Sequence, residues 1–183
     1  MPVLISLLRG INLAGRRKVK MEELRAIYAA QGFQDVQTYI NSGNVIFKTG
    51  ARDLLRLRQR LEDSIEEAFG FRSHVVLRTP ADLRDIIARN PFAAKECLDP
   101  RRLAICFLAG ELSTPTRRLL HALDCKPEEL HAHARELFIY YPNGMARPKL
   151  SLVAVEKITK ISGTSRNLNT VKKLLEMAEK LEA

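Results

Sequence analysis

Apolar residues along the chain alternate between short continuous runs and stretches spaced at three and four. VLISLL, ending at Arg9, reads as a buried strand. From Met21 the apolar residues Leu24, Ile27 and Tyr28 recur at helical spacing, which predicts a helix ending near Gly32. VQTYI and NVIFK predict two antiparallel strands on either side of NSGN, where Ser42-Gly43 offers the positive φ of a tight hairpin turn. Leu54, Leu57, Leu61, Ile65 and Phe69 mark a second amphipathic helix closed by Gly70, and HVVL reads as another strand. The order βαββαβ is that of an α+β, ferredoxin-like split βαβ unit, in which two helices cover one face of a four-stranded antiparallel sheet.

The second half carries the same kinds of signal. TPAD predicts a helix with a threonine cap and proline at its first position, running out near Asn90-Pro91. LAICFL reads as a strand, STPTRRLLHAL as a capped helix, and LHAHA and LFIYY as strands joined around Arg135-Glu136. The expectation is a second α+β unit, βαββα plus a terminal helix carrying Val171, Leu174, Leu175, Ala178 and Leu181 on one face. The expected division is residues 1–79 and residues 80–183, with no sequence repeat between them.

Split βαβ topology sets the first two strands parallel with the third between them, so RGIN and NSGN are expected side by side at one edge. The helix that follows the RGIN loop points its N-terminus at that edge, adding unpaired N–H groups and the positive end of its dipole. Charge sharpens this picture. The chain has 183 residues and a formal net charge of +9, and the imbalance is local. Arg9, Arg16, Arg17, Lys18 and Lys20 have no acid among them, and Arg147, Lys149, Lys157, Lys160 and Arg166 stand against Glu156 alone. Such a field attracts phosphorylated metabolites or polyanions, or simply keeps the protein in solution, and its sign alone does not choose.

From the residues, the binding set is Arg9, Lys18, Lys149 and Arg166 for charge, with Asn12, Asn41, Ser42, Asn44, Asn167, Asn169 and Thr170 to orient a ligand and cap helix ends. Gly10 and Gly43 permit close backbone approach. Asn167 or Asn169 is the expected N-cap of the terminal helix. Arg166 is the odd member, because a helix N-terminus disfavours a cation unless an acid or ligand shares the site.

Other chemistries fit less well. Gly10, Gly15 and Arg16 approach the phosphate loop G-x-x-x-x-G-K-[ST], but Arg16 replaces lysine and Arg17 the magnesium-holding hydroxyl. His121 with Cys125, and His131 with His133, have one spacing each suited to zinc but no second signature, so no metal is expected. Cys97, Cys106 and Cys125 never form a C-x-x-C pair and read as reduced thiols. An RNA-recognition motif shares the βαββαβ order, yet VLISLL has no aromatic for stacking and NVIFK only Phe47, leaving nucleic acid a possible partner through phosphates alone. No Ser/His/Asp or Cys/His pairing follows from spacing, and no cofactor is expected. With no run long enough to span a bilayer and no secretory pattern at the N-terminus, a cytoplasmic protein without a membrane partner is expected.

Three segments carry a resemblance: LLRGINLAGRRKVKMEELR with GFQDVQTYINSGNVIF, then NPF at Asn90 to Phe92, and GMARPKLSLVAVEKITKISGTSRNLNTVKKLLEMA. Together they resemble the bacterial family catalogued as domain of unknown function 1697 over the full length. The resemblance implies a cytoplasmic α+β protein of ferredoxin-like character with no established activity. Ala14 stands where that family usually shows glycine, Pro148 where it tends to have serine before Lys149, and Leu168 where it often has tryptophan. The last two argue against Ser-Lys chemistry or indole stacking as general features of the site. The leading expectation is a basic cleft between the two α+β units that takes an anionic or phosphorylated small molecule or a nucleic-acid end. Second comes an enzyme acting on such a ligand, with Lys149 or Lys18 as acid–base group, and third an interaction module using the sheet surface or edge.

Overall fold

The computed structural model describes residues 1–13, 15–146 and 148–183; Ala14 and Arg147, both taken up in the sequence reading, lie outside the described residues. The elements run β1 (Val3–Leu8), α1 (Met21–Ala30), β2 (Gln34–Tyr39), β3 (Asn44–Lys48), α2 (Leu54–Phe69), β4 (Val75–Arg78), α3 (Pro80–Ala88), β5 (Leu103–Leu108), α4 (Thr114–His121), β6 (Glu129–Ala132), β7 (Glu136–Tyr140), α5 (Leu152–Thr159), β8 (Gly163–Asn167) and α6 (Leu168–Glu182). They form an α+β protein with two four-stranded antiparallel sheets, ordered β2-β3-β1-β4 and β6-β7-β5-β8. Two compact units result, Met1–Arg84 with Lys173–Ala183, and Asp85–Lys172. The chain therefore changes unit inside α3 rather than between residues 79 and 80, and the last part of α6 groups with the first unit. No helix among the described residues is long and apolar enough to cross a membrane.

In the first unit, β1 is buried along its whole length and central in its sheet, which is why its sequence is a continuous apolar run rather than an alternation. Leu24 and Tyr28 of α1 and Leu57, Leu61 and Ile65 of α2 share one apolar cluster with Leu4, Leu8, Val45, Phe47 and Val75 of the sheet. Tyr28, Phe33 and Phe47 pack edge-on or tilted with centroids 4.6 to 6.0 Å apart. The Tyr28 hydroxyl, fully enclosed, shares a 2.6 Å hydrogen bond with Ser6 Oγ, and desolvation raises its pKa more than that bond lowers it. α2 is bounded by Asp53, whose Oδ1 accepts from Leu55 N and Arg56 N at 3.0 Å, and by Gly70 in the left-handed region. Thr79 and Asp82 cap α3 reciprocally, Asp82 N donating to Thr79 Oγ1 and Thr79 N to Asp82 Oδ2.

The second unit repeats the connectivity and corrects the sequence reading at one element. Gly163–Asn167, expected only as the approach to the last helix, is strand β8, antiparallel to β5. The unit is thus βαββαβ, and α5 is the helix that precedes β8. GTSRN has neither apolar alternation nor β-branched runs to announce a strand; its partner β5 supplies the pairing. Gly163 is the residue that lets β8 dock, since a Cβ there would stand 2.7 Å from Phe107 O.

The hairpin between β2 and β3 depends on Gly43. Its φ is +76°, and a Cβ would lie 2.7 Å from Leu8 Cβ and 2.8 Å from Ile11 Cδ1, both buried. Gly43→Ala therefore combines a strained backbone with overpacking, and a loss of about 2 to 4 kcal/mol in urea-unfolding free energy is expected. A loss below about 0.5 kcal/mol would mean the hairpin has another conformation open to it.

Candidate functional site

The residues around RGIN and NSGN come together at the end of β1. Leu8 N donates to Gly43 O at 2.8 Å, joining the strand end to the hairpin. Beyond it the loop turns through left-handed residues, Gly10 at φ 68°, Asn12 at 54°, Gly15 at 77° and Arg17 at 49°. Asparagine tolerates that region better than most side chains, because its short amide hydrogen-bonds locally. Asn12 does more than tolerate it. Its Nδ2 donates to Val19 O at 2.9 Å and to Asn41 O at 2.8 Å, while its Oδ1 accepts from Val19 N at 2.9 Å. One side chain thereby closes the loop on itself and ties it to the hairpin. Ser73 Oγ donates to Arg9 O, and Arg9 N to His74 O, so the loop is also held from the β4 side.

The hairpin has its own internal bracing. Asn44, fully buried, donates through Nδ2 to Tyr39 O and to Ser42 Oγ, each at 2.9 Å. Asn41 is exposed and Ser42 half-buried. The asparagines expected to orient a ligand thus divide: Asn12 and Asn44 spend their amides on the backbone, and Asn41 presents its side chain outward.

Where loop, hairpin and helix meet lies an open cavity of about 500 Å³ lined by Asn12, Val19, Lys20, Met21, Glu22, Arg25 and Asn41. α1 begins in its wall. The N-cap position is Lys20, which makes no side-chain cap, so the first-turn N–H groups of Met21, Glu22 and Glu23 carry no side-chain acceptor from it. Lys20 and Arg25 bring positive charge to the wall, and Arg25 Nη1 donates to Thr38 Oγ1 at 2.6 Å, which fixes its direction. Glu22 brings one carboxylate to the same wall. Lys20 belongs to the acid-free basic stretch read from the sequence but was not in the expected binding set, and Arg25 was in neither. A signal was present: the helix starting at Met21 is preceded by Lys20 where a serine, threonine, aspartate or asparagine would cap it. Lys18 is exposed on the approach, as are Arg16 and Arg17, and Arg17 also lies over the Phe71 ring at 5.4 Å.

The remaining expected residues belong to the second unit. Asn167 Oδ1 accepts from Thr170 N at 2.9 Å and is the N-cap of α6, while Asn169 is exposed. Arg166 lies in β8 opposite Ile105, 8% exposed, donating to Thr164 Oγ1 at 2.8 Å and to Ser165 O at 2.7 Å. Burial lowers its guanidinium pKa to about 10. It is a strand residue that stands directly before the α6 N-cap, beside the helix start as expected. Lys149 donates its backbone N–H to Glu128 Oε1 at 3.0 Å and leaves its ammonium exposed.

The rings of His121 and His131 meet edge-on with centroids 6.1 Å apart. His121 Nε2 lies 3.2 Å from Ala132 O and 3.3 Å from Ala132 N, and Cys125 Sγ donates to Glu128 O. Among the described residues no group of three or more His, Cys, Asp or Glu is placed to hold a metal ion. Desolvation pushes the buried Cys106 thiol up to about 12, with Glu156 adding to the effect, and desolvation also raises Cys125. Neither is an activated nucleophile.

The profile of a family described as "Protein of unknown function (DUF1697)" matches residues 1–138, and the chain belongs to that family. Among solved structures, the chain is similar to a conserved bacterial protein from Streptococcus pneumoniae, with 25% sequence identity, a TM-score of 0.76, and coverage of 97% of this chain and 98% of that one. No curated protein matches the chain.

Asn12→Asp tests the clamp with almost no change of shape. The carboxylate still accepts from Val19 N, but an oxygen replaces the donor that faces two carbonyls. The expected cost is about 2 to 4 kcal/mol in unfolding free energy, with faster amide exchange at Val19 and in the hairpin. Unchanged stability and exchange would show that the loop and hairpin hold together without it.

Proposed function

We propose that this DUF1697 protein binds a small anionic or phosphorylated molecule in the cavity at the start of α1. What carries the reading is the combination in one 500 Å³ hollow of Lys20, Arg25, the exposed amide of Asn41 and a helix start with no side-chain cap. Each is a donor or a positive charge; Arg25 spends one N–H on Thr38 and Lys20 stands 3.5 Å from the Glu23 carboxylate, and both keep further donors for a ligand. Helix-start N–H groups and the dipole favour an anion there, and the nearby cations reinforce it.

Glu22 narrows the choice of ligand. A bare phosphate would meet a carboxylate in the same wall, whereas a phosphate ester carrying a hydroxyl or ammonium group offers that carboxylate a donor. The favoured class is therefore a phosphorylated polyhydroxy or amino compound rather than the inorganic ion. Arg9, Gly10, Lys18, Ser42 and Gly43 then serve as the rim: exposed Lys18 adds to the attracting field, and the two glycines keep the backbone close. The ligand roles first expected of Asn12 and Asn44 become positioning roles in this reading.

The test is a thermal-shift screen of phosphorylated metabolites, followed by calorimetry with each hit. A ligand that binds the native state raises the melting temperature by mass action. Arg25→Ala is expected to weaken the hit by roughly tenfold to a hundredfold, as loss of one charge-assisted contact. Glu22→Gln is expected to strengthen inorganic pyrophosphate and weaken the hydroxylated hit. Hits that bind equally well to wild-type, Lys20→Ala and Arg25→Ala chains would place the ligand elsewhere and end the proposal.

A further inference from the structure

Helix α2 distributes its charges against its own electrostatics. Arg56, Arg58 and Arg60 fill its N-terminal half and Arg52 stands just before it, where the dipole is positive; the one acid at that end is the N-cap Asp53, and the first turn has none. Glu62, Asp63, Glu66 and Glu67 crowd the C-terminal half, whose last turn has no basic residue. The acids do not serve the arginines. Arg72 takes Glu62, Asp63 and Glu66 at 3.1, 2.9 and 2.8 Å, and Glu62 Oε1 also accepts from Val75 N, fastening α2 to β4. Among the described residues, the side chains of Arg52, Arg56 and Arg58 have no ion pair, and Arg58 Nε is buried with no hydrogen-bond partner. Arg60 donates to Gln31 O at 3.4 Å and lies over the Phe33 ring at 5.5 Å.

The same chain shows the ordinary arrangement in α6. There Lys173 and Lys180 flank Glu176 at 2.9 and 2.8 Å and hold its carboxyl at about 2. A solvated helix gains from that interleaving, and α2 forgoes it. The three cations in α2, and Arg52 just before its N-cap, are all arginine, whose planar fork matches phosphate oxygens in pairs.

We propose that the N-terminal half of α2 is a docking surface for the phosphate backbone of a nucleic acid, contacted through Arg52, Arg56 and Arg60. Arg52 stands just before the N-cap, and Arg56 and Arg60 lie about 6 Å apart along the helix at 1.5 Å per residue. That separation is about two phosphate steps of one strand at a rise of about 3.4 Å each. A bilayer is the poorer occupant. Membrane-lying helices turn a whole apolar face outward, whereas Leu57, Leu61 and Ile65 of α2 are buried in the core, leaving Leu54 and Leu55, 40% and 70% exposed, as its outward large apolar residues. The surface reads charge and spacing and not base identity, so binding is expected on any sequence. It is separate from the α1 cavity and independent of what that cavity takes.

The experiment is fluorescence polarisation of a labelled single strand of about 20 nucleotides with the full chain, from about 50 to about 200 mM salt. Wild-type binding is expected to weaken steeply with salt. Arg52→Gln with Arg56→Gln is expected to weaken affinity at least about tenfold and to make the slope shallower by about 1.4, two contacts at about 0.7 each. Arg52→Lys with Arg56→Lys keeps the slope. Arg118→Gln with Lys172→Gln removes the same charge from other exposed positions and is expected to stay within about twofold of wild type. Equal loss in the two glutamine pairs would reduce the effect to net charge and overturn the docking surface. So would absence of wild-type binding at about 50 mM salt, or Arg52- and Arg56-dependent binding to phosphatidylserine vesicles with none to the oligonucleotide.

Discussion

The polar edge of the first unit hangs on the amide of Asn12. Its three hydrogen bonds, to Val19 O, Val19 N and Asn41 O, close the loop after β1 and bind it to a hairpin 29 residues further along the chain. The left-handed backbone at Asn12 costs little for asparagine and aims the amide correctly. Gly43 completes the arrangement from the other side by letting the hairpin press on Leu8 and Ile11 without a Cβ between them. With both in place, the chain leaves the loop at Val19, which is buried, and starts α1 at a fixed angle, so that Lys20, Arg25 and the free helix amides face one hollow. The cavity is a by-product of how the loop is closed.

The fold class was legible because its signals are local and strong. Continuous apolar runs mark β1 and β5, both central in their sheets; Leu57, Leu61 and Ile65 mark the buried face of α2; Asp53 and Gly70 punctuate it. β8 was not legible because GTSRN carries no pattern of its own, and its identity as a strand comes from β5 alongside. At the site, the chain order let RGIN and NSGN be expected as neighbours, and Leu8 N to Gly43 O together with Asn12 to Asn41 O joins them. Sequence could not say how each amide is spent. Asn12, Asn41 and Asn44 look alike in a string, yet the first and third satisfy backbone carbonyls while the second stays exposed. Lys20 was legible only as part of a basic stretch and Arg25 not at all, because a lysine before a helix and an arginine within one are the commonest solvated residues.

The two units share more than element order. Ile5 of β1 stands opposite Arg78, and Ile105 of β5 opposite Arg166, at the same distance into each first strand. Both arginines are buried, and each donates to the carbonyl of the residue before it, Arg78 to Leu77 O and Arg166 to Ser165 O. A buried guanidinium is costly unless hydrogen-bonded, so keeping one at the matching register in both sheets marks a common plan that the differing sequences conceal. The units diverge at the strand-end loops. In the first, the loop after β1 is long, basic and closed by Asn12. In the second, the corresponding stretch leads promptly to Ser113 as the cap of α4, with its Oγ already accepting from Thr116 N. An uncapped, cation-lined helix start of this kind is therefore a property of the first unit's sequence and not of the topology.

The most direct test of the account is a pyrophosphate titration of the uniformly nitrogen-15-labelled chain, followed amide by amide. Saturable shifts at Met21, Glu22, Glu23 and the Asn41 side chain, absent in Asn12→Asp, are what a clamp-built anion site requires. Saturable shifts centred on other residues, or only a uniform drift across the exposed lysines and arginines, would contradict it.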